Sequence, residues 1–175
     1  MIRLIALAIF GILLTGCFER SPLNIPIAGY NFTDHTIKNI WVNKSWSGSV
    51  IQGGGGGAVC CVSIPFNYKP GEKITIDWEI YDCTISNNEC AEKYKGKEWP
   101  TKMLHKVIEI SPYNSKDVAE LQLAFLPNDE IRAYANGALF SYEKHPSRKE
   151  FGELLAHGMR PLEKIWPRQS KKMEP

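Results

Sequence analysis

The sequence predicts a mainly β protein, an antiparallel sandwich or small barrel of about seven strands with one C-terminal helix. Three observations carry this. Apolar residues recur at period two over short runs, turn-forming residues separate those runs, and helical spacing occurs only near the C-terminus. Short strands at regular intervals are the pattern of a sandwich or barrel.

The first strand candidates are Ile25 to Tyr30, Ile37 to Val42, Ala58 to Ile64 and Lys73 to Ile80. In the last of these, Ile74, Ile76, Trp78 and Ile80 fall on one face, with Thr75, Asp77, Glu79 and Tyr81 on the other. One face packed and one wet is the signature of an antiparallel sheet. Turns are expected at Asn31 to Thr36, Ser47-Gly48-Ser49, Gly53 to Gly57, and Tyr68 to Gly71, where proline precedes glycine in turn order. Further strands are expected at Lys106 to Ile110, Ala119 to Phe125 and Glu130 to Tyr134, with Leu126 to Asp129 turning between the last two. Ser147 to His157 reads as the helix. Ser147 is its N-cap, Glu150 completes a capping box, Phe151, Leu154 and Leu155 form its apolar stripe, and Gly158 stops it.

Ahead of the strands, one basic residue, Arg3, precedes an apolar run from Leu4 to Leu14 and then Thr15-Gly16-Cys17. The run is too short to span a bilayer, which takes about 20 residues, and has the form of a secretory signal. A cysteine directly after the small residues makes it a lipoprotein signal. Residues 1–16 are then removed, and Cys17 carries the lipid anchor. Phe18 follows in place of the aspartate that retains lipoproteins at the inner membrane, so the expected site is the periplasmic face of the outer membrane. Residues 17–24 read as a tether, 25–160 as a single β-rich domain, and 161–175 as a basic tail bearing Lys164, Arg168, Lys171 and Lys172.

Charge does not point to a ligand. Removing Arg3 from 21 basic residues leaves 20 against 19 acidic ones, so no overall field steers the domain toward nucleic acid. In an oxidising compartment the even set Cys60, Cys61, Cys83 and Cys90 are disulfide candidates. Cys83 and Cys90 can close a short polar loop. The adjacent pair Cys60-Cys61 can bond only with an unusual peptide geometry. Otherwise each reaches one of Cys83 and Cys90, or both stay as buried thiols. These options remain open at the level of sequence. The spacing lacks the two-residue interval of a zinc knuckle and no histidine is near, so no metal is expected.

No catalytic constellation is legible. The glycine run Gly53 to Gly57 lacks the Gly-Lys-Ser ending and following helix of a phosphate loop. His35 lies in a polar turn, His105 in a strand beside Lys106, His145 before Pro146, and His157 at the helix end. Neither a Gly-x-Ser-x-Gly elbow nor His-Glu-x-x-His occurs. Asp77 and Glu79 share a strand face, where solvated carboxylates are the ordinary reading. We expect no enzyme activity, no cofactor and no catalytic residue.

Gly29-Tyr-Asn-Phe-Thr-Asp34, the glycine run followed by Cys60-Cys61-Val62, then Pro65, Pro70-Gly71, Ile76 to Trp78, and Leu123 to Pro127 with Ile131-Arg132, resemble a family of small Gram-negative lipoproteins known only as a domain of unknown function. The likeness covers roughly Ile27 to Tyr134. Members are often encoded beside phospholipase effectors of the type VI secretion system. The resemblance therefore implies an immunity lipoprotein, whose partner is a secreted phospholipase effector that it neutralises at the membrane under attack. It implies no particular contact residues. An alternative class is a structural or assembly lipoprotein of the envelope without a toxin partner. A third is a small-ligand binder using the glycine-rich loop and Trp41, Trp46 or Trp99.

Overall fold

The computed structural model describes residues 20–82, 87–140 and 142–151. The signal segment, Cys17, Cys83, His157, the basic tail and the helix expected beyond Phe151 lie outside them. Eight strands are present: β1 (Leu23–Asn31), β2 (Ile37–Val42), β3 (Ser45–Val50), β4 (Gly55–Ile64), β5 (Lys73–Tyr81), β6 (Thr101–Ser111), β7 (Glu120–Leu126) and β8 (Glu130–Asn136). They form one sheet in the order β3-β2-β5-β6-β8-β7-β1-β4. The helices are α1 (Asn87–Lys93) and α2 (Ser147–Phe151), with a 3-10 turn at Ser115–Asp117.

The expected β class holds, with four corrections. Ser47-Gly48-Ser49, read as a turn, lies inside β3, which raises the strand count from seven to eight. The turn that feeds β3 is Asn43-Lys44, both residues at positive φ, which makes a two-residue hairpin without glycine. The sheet is also mixed rather than antiparallel, because β1 runs parallel to β7 and β6 parallel to β8. Those pairings join segments remote in sequence, where hairpin logic has no purchase. Finally, the segment before Cys90 is not only a loop: α1 forms there, and Cys90 on it is fully buried and disulfide-bonded.

The predicted alternation sets the core. Ile74, Ile76 and Trp78 of β5 are buried while Thr75, Asp77 and Glu79 face outward, and β5 pairs with β6 without a break from Lys73–Glu109 to Tyr81–Thr101. β6 meets β8 only at Ile110–Ala133 and Ser111–Tyr134. The sheet therefore folds as two halves, β3-β2-β5-β6 and β8-β7-β1-β4, whose inner faces share one core of Ile27, Ile37, Ile40, Ile76, Leu121, Leu123 and their neighbours. Trp78 from one half approaches Phe125 of the other with ring centres 6.0 Å apart. The far seam is nearly closed, since a Cβ placed on Gly48 of β3 would lie 3.3 Å from Val59 Cγ2 of β4. Sandwich and small barrel are two descriptions of this arrangement.

The two outer faces differ. That of β8-β7-β1-β4 is covered by the chain after β8: Ala28, Tyr30, Ala124, Leu126 and Tyr134 are buried beneath Phe140 and Phe151. Phe140 packs 4.8 Å from Tyr30 and 5.9 Å from Tyr134, centre to centre. This is why β7 is buried on both faces. Among the described residues nothing covers the outer face of β3-β2-β5-β6 in the same way.

Odd-numbered strands run one way and even-numbered strands the other. One end of the barrel therefore gathers the entering chain at residue 20, the Asn43-Lys44 turn and the β4–β5 loop. That loop turns as expected, with Gly71 at φ 80° after Pro70 and Glu72 N–H bonded to Lys69 O at 3.1 Å. The opposite end gathers the β1–β2, β3–β4 and β7–β8 loops.

Candidate functional site

The uncovered face of β3-β2-β5-β6 exposes Trp46 at 53%, Met103 at 55% and Val107 at 52%. Trp46 pairs across strands with Trp41, Glu79 with Met103, and Thr75 with Val107, so these side chains share one surface. Polar bonds fix it from below. Trp46 Nε1–H donates to Asn39 Oδ1 at 3.0 Å, and Asn39 Nδ2 donates to Glu79 Oε2 at 2.6 Å. Lys38 Nζ reaches Glu79 Oε1 at 3.4 Å. Hydrogen bonds from Thr101 and Asn39, then the Lys38 charge, hold the Glu79 carboxyl below the usual carboxylate range.

A break in alternation makes this possible. Ile37 and Ile40 both point inward although they are three residues apart, and the β2–β5 register shifts between Ile37 and Asn39. That bulge lets both Lys38 and Asn39 reach Glu79. Between β5 and β6, Asp77 Oδ1 and His105 Nδ1 lie 2.7 Å apart on the same face. Asp77 and Glu79 do share a face, and each has its own partner rather than the other. At the upper edge of the face, Tyr81 and Trp99 meet edge-on at 5.3 Å and line an open cleft of about 330 Å³ with Lys38, Lys97 and Glu98.

Asn31 organises the far end of the barrel. Its buried amide donates to His35 O at 2.6 Å and Val50 O at 3.3 Å, and its Oδ1 accepts from Thr33 N and Oγ1 at 2.9 and 2.7 Å. Its backbone binds Gly54 O and Gly53 N. The Gly53 and Gly54 amides thus serve the chain itself, Gly54 N–H bonding Ile51 O, and Gly55 to Gly57 continue into β4. This region is a structural joint and not an anion cradle.

His145 and Ser147 make the contact of a nucleophile and its base, yet both are buried. Ser147 N–H donates to His145 Nδ1 at 3.1 Å and Ser147 Oγ lies 2.5 Å from it. The expected capping box is therefore not formed: Ser147 Oγ faces His145, and Glu150 instead meets Tyr134 and Arg132. Burial, then the Glu150 hydrogen bond, push the Tyr134 phenol above its usual range.

Cys60 and Cys61 are bonded to each other across a cis peptide, which selects one of the open alternatives. The pair is a bulge in β4: the ladder steps from Ile25–Val62 to Ile27–Val59, so two cysteines face Pro26, which has no N–H to give. Among the described residues no group of three or more His, Cys, Asp or Glu side chains could hold a metal ion. Likewise no described helix is long and apolar enough to cross a membrane.

Sequence reasoning identified Trp46, Trp41, Trp99 and the Asp77/Glu79 face but missed Asn39, Met103 and Gln122. The three-residue apolar interval in β2 was the available signal for Asn39. Fold and site together define a small β domain whose one eight-stranded sheet folds into two halves, with one outer face covered by its own C-terminal segment and the other, among the described residues, left uncovered. The chain belongs to a family of proteins of unknown function, DUF3304, whose model matches residues 30–133. No curated protein and no solved structure matches the chain. The matched span runs from the end of β1 to the middle of β8 and takes in the bare face; Ile25 and Ile27 of the core, and Phe140, His145 and Phe151 of the cover, lie beyond it.

Proposed function

We propose that this chain is a lipoprotein, anchored through Cys17 at the periplasmic face of the outer membrane, that binds a type VI secreted phospholipase effector and neutralises it. The observation that carries the binding role is the face bearing exposed Trp46, Met103 and Val107, which no described segment covers. Tryptophan and methionine are enriched where protein surfaces meet, and here they stand among polar side chains on one face, as interface residues do. The nature of the partner rests on the family resemblance.

Size bears on how the face works. Four strands about 4.8 Å apart and some 25 Å long present about 500 Å², whereas a standard interface takes about 800 Å² from each partner. The contact must therefore run past the sheet, and the Tyr81–Trp99 cleft adjoins it. Inhibition by occlusion of the lipase cleft or lid needs no chemistry from this chain. Anchoring inhibitor and target to one membrane raises their effective concentration.

The test is to produce the neighbouring lipase candidate in the periplasm with and without this protein, measuring survival and complex formation. Rescue with a stable complex supports immunity. Unrelieved toxicity without a complex overturns it and leaves the envelope assembly role.

A further inference from the structure

The end of the barrel where the chain enters carries an open cleft of about 550 Å³, lined by Arg20, Pro22, Ile64, Pro65, Phe66 and Lys69. The Arg20 guanidinium lies 4.8 Å from the centre of the Phe66 ring. Beside it, Tyr68 and Tyr113 meet edge-on at 5.4 Å, and Tyr113 Oη donates to Pro65 O at 2.6 Å. Aromatic rings with polar tips, set among cations at one end of a domain, suit the headgroup layer of a bilayer. The covalent chain decides which end meets that layer. Three residues lead from Cys17 to Arg20, a reach of at most about 10 Å even when fully extended.

We propose that this cleft seats the headgroup of an anionic phospholipid in the membrane that holds the anchor, with Arg20 against the phosphate and Phe66 at the level of the glycerol. The domain then rests on the bilayer instead of swinging above it. The proposal depends on lipidation of Cys17. It also deepens the proposed function. The strands stand on end, β1 with its 9 residues rising about 30 Å, so the bare face is upright beside the bilayer and an enzyme working at that surface meets it side-on.

The test uses the full chain with its own N-terminus, purified from membranes and reconstituted into vesicles of phosphatidylethanolamine and phosphatidylglycerol. The photoreactive residue p-benzoylphenylalanine replaces Phe66, or Lys69 at the exposed rim of the cleft where the core is untouched, or Gln52 in the loop at the opposite end. The expected result is a lipid adduct at positions 66 and 69, its loss at 52, and a weaker adduct when phosphatidylcholine replaces phosphatidylglycerol. Acylated protein without adducts at 66 and 69, or with equal adducts at all three positions, overturns the cleft proposal while leaving the anchor intact. An intact mass without acyl groups overturns the anchor, and the cleft proposal with it.

Discussion

His145 Nε2 lies 2.5 Å from Gln122 Oε1, joining the segment after β8 to the middle of β7. Because Nδ1 accepts the Ser147 amide, the ring is neutral with its proton on Nε2, and it donates to Gln122. Gln122 in turn donates to Glu120 Oε1 at 2.8 Å and Ala138 O at 2.9 Å, so a polar chain runs beneath the aromatic cover. Every donor and acceptor in it has a partner, which lets it fix one docking position.

The link makes stability depend on pH. Burial holds His145 down at about 4, whereas the unfolded chain takes up its proton near the ordinary value of about 6.5. Between those values the unfolded state binds more protons, so stability falls as pH drops from about 6.5 to about 4 and levels off below. The expected loss is on the order of 3 kcal/mol. Urea unfolding across this range should show it, and His145→Gln should flatten the slope. An unchanged slope in that variant would assign the pH dependence elsewhere.

Asn31 should be among the costliest polar positions. Alanine there takes the amide donor from the His35 and Val50 carbonyls, of which only His35 O keeps a donor in Thr33 Oγ1, and removes the acceptor of Thr33 N–H, so Asn31→Ala is expected to lose about 2–4 kcal/mol. Asn31→Asp keeps the acceptor for Thr33 but turns a negative charge toward those two carbonyls. It should be at least as destabilising at neutral pH and partly recover in acid. Thermal melts at two pH values read both effects.

How far such features were legible follows from whether the signal is local. β5 was readable because every second residue is apolar and one face packs. β3 was not, because Ser47 and Gly48 take its buried positions and a Cβ at Gly48 would stand 3.3 Å from Val59 Cγ2. Of the cover over Tyr30 and Tyr134, Phe140 comes from an irregular stretch with no periodicity to detect, whereas Phe151 belongs to the helix legible from Ser147 onward. The Trp46–Asn39–Glu79 chain depends on a bulge whose only trace is the interval from Ile37 to Ile40. Asp77 and Glu79 were correctly placed on one face, but their partners come from neighbouring strands and could not be read.

Gly29 is set by close approach. A Cβ at that position would stand 2.5 Å from Val50 Cγ2 and 3.3 Å from Ile40 Cδ1. Gly29→Ala should therefore cost about 1–3 kcal/mol through overpacking. Val50→Ala should cost about 1–3 kcal/mol through the void it leaves. Combined, they should cost less than their sum by about 1 kcal/mol, because each change relieves the other. Recovery should be partial, since Ile40 still crowds the site. Strict additivity in denaturant unfolding would rule out the contact as the cause.

The bare face yields the prediction that separates binding from folding. Trp46 and Met103 are exposed outside the shared core, so Trp46→Ala and Met103→Ala should change stability by no more than about 0.5 kcal/mol. If the face is the anchor of the interface, each should weaken partner binding by about 2 kcal/mol or more, roughly 30-fold. Asn39→Ala should fall between, at about 1 kcal/mol, because it touches the partner less but frees the indole that Asn39 holds in place. Leu139 and Tyr142 supply the control, being equally exposed on the segment after β8. Their alanine variants should bind normally. Titration calorimetry against the co-produced effector distinguishes the cases: loss at Leu139 or Tyr142 with retention at Trp46 and Met103 would move the interface off the bare face to the covered one.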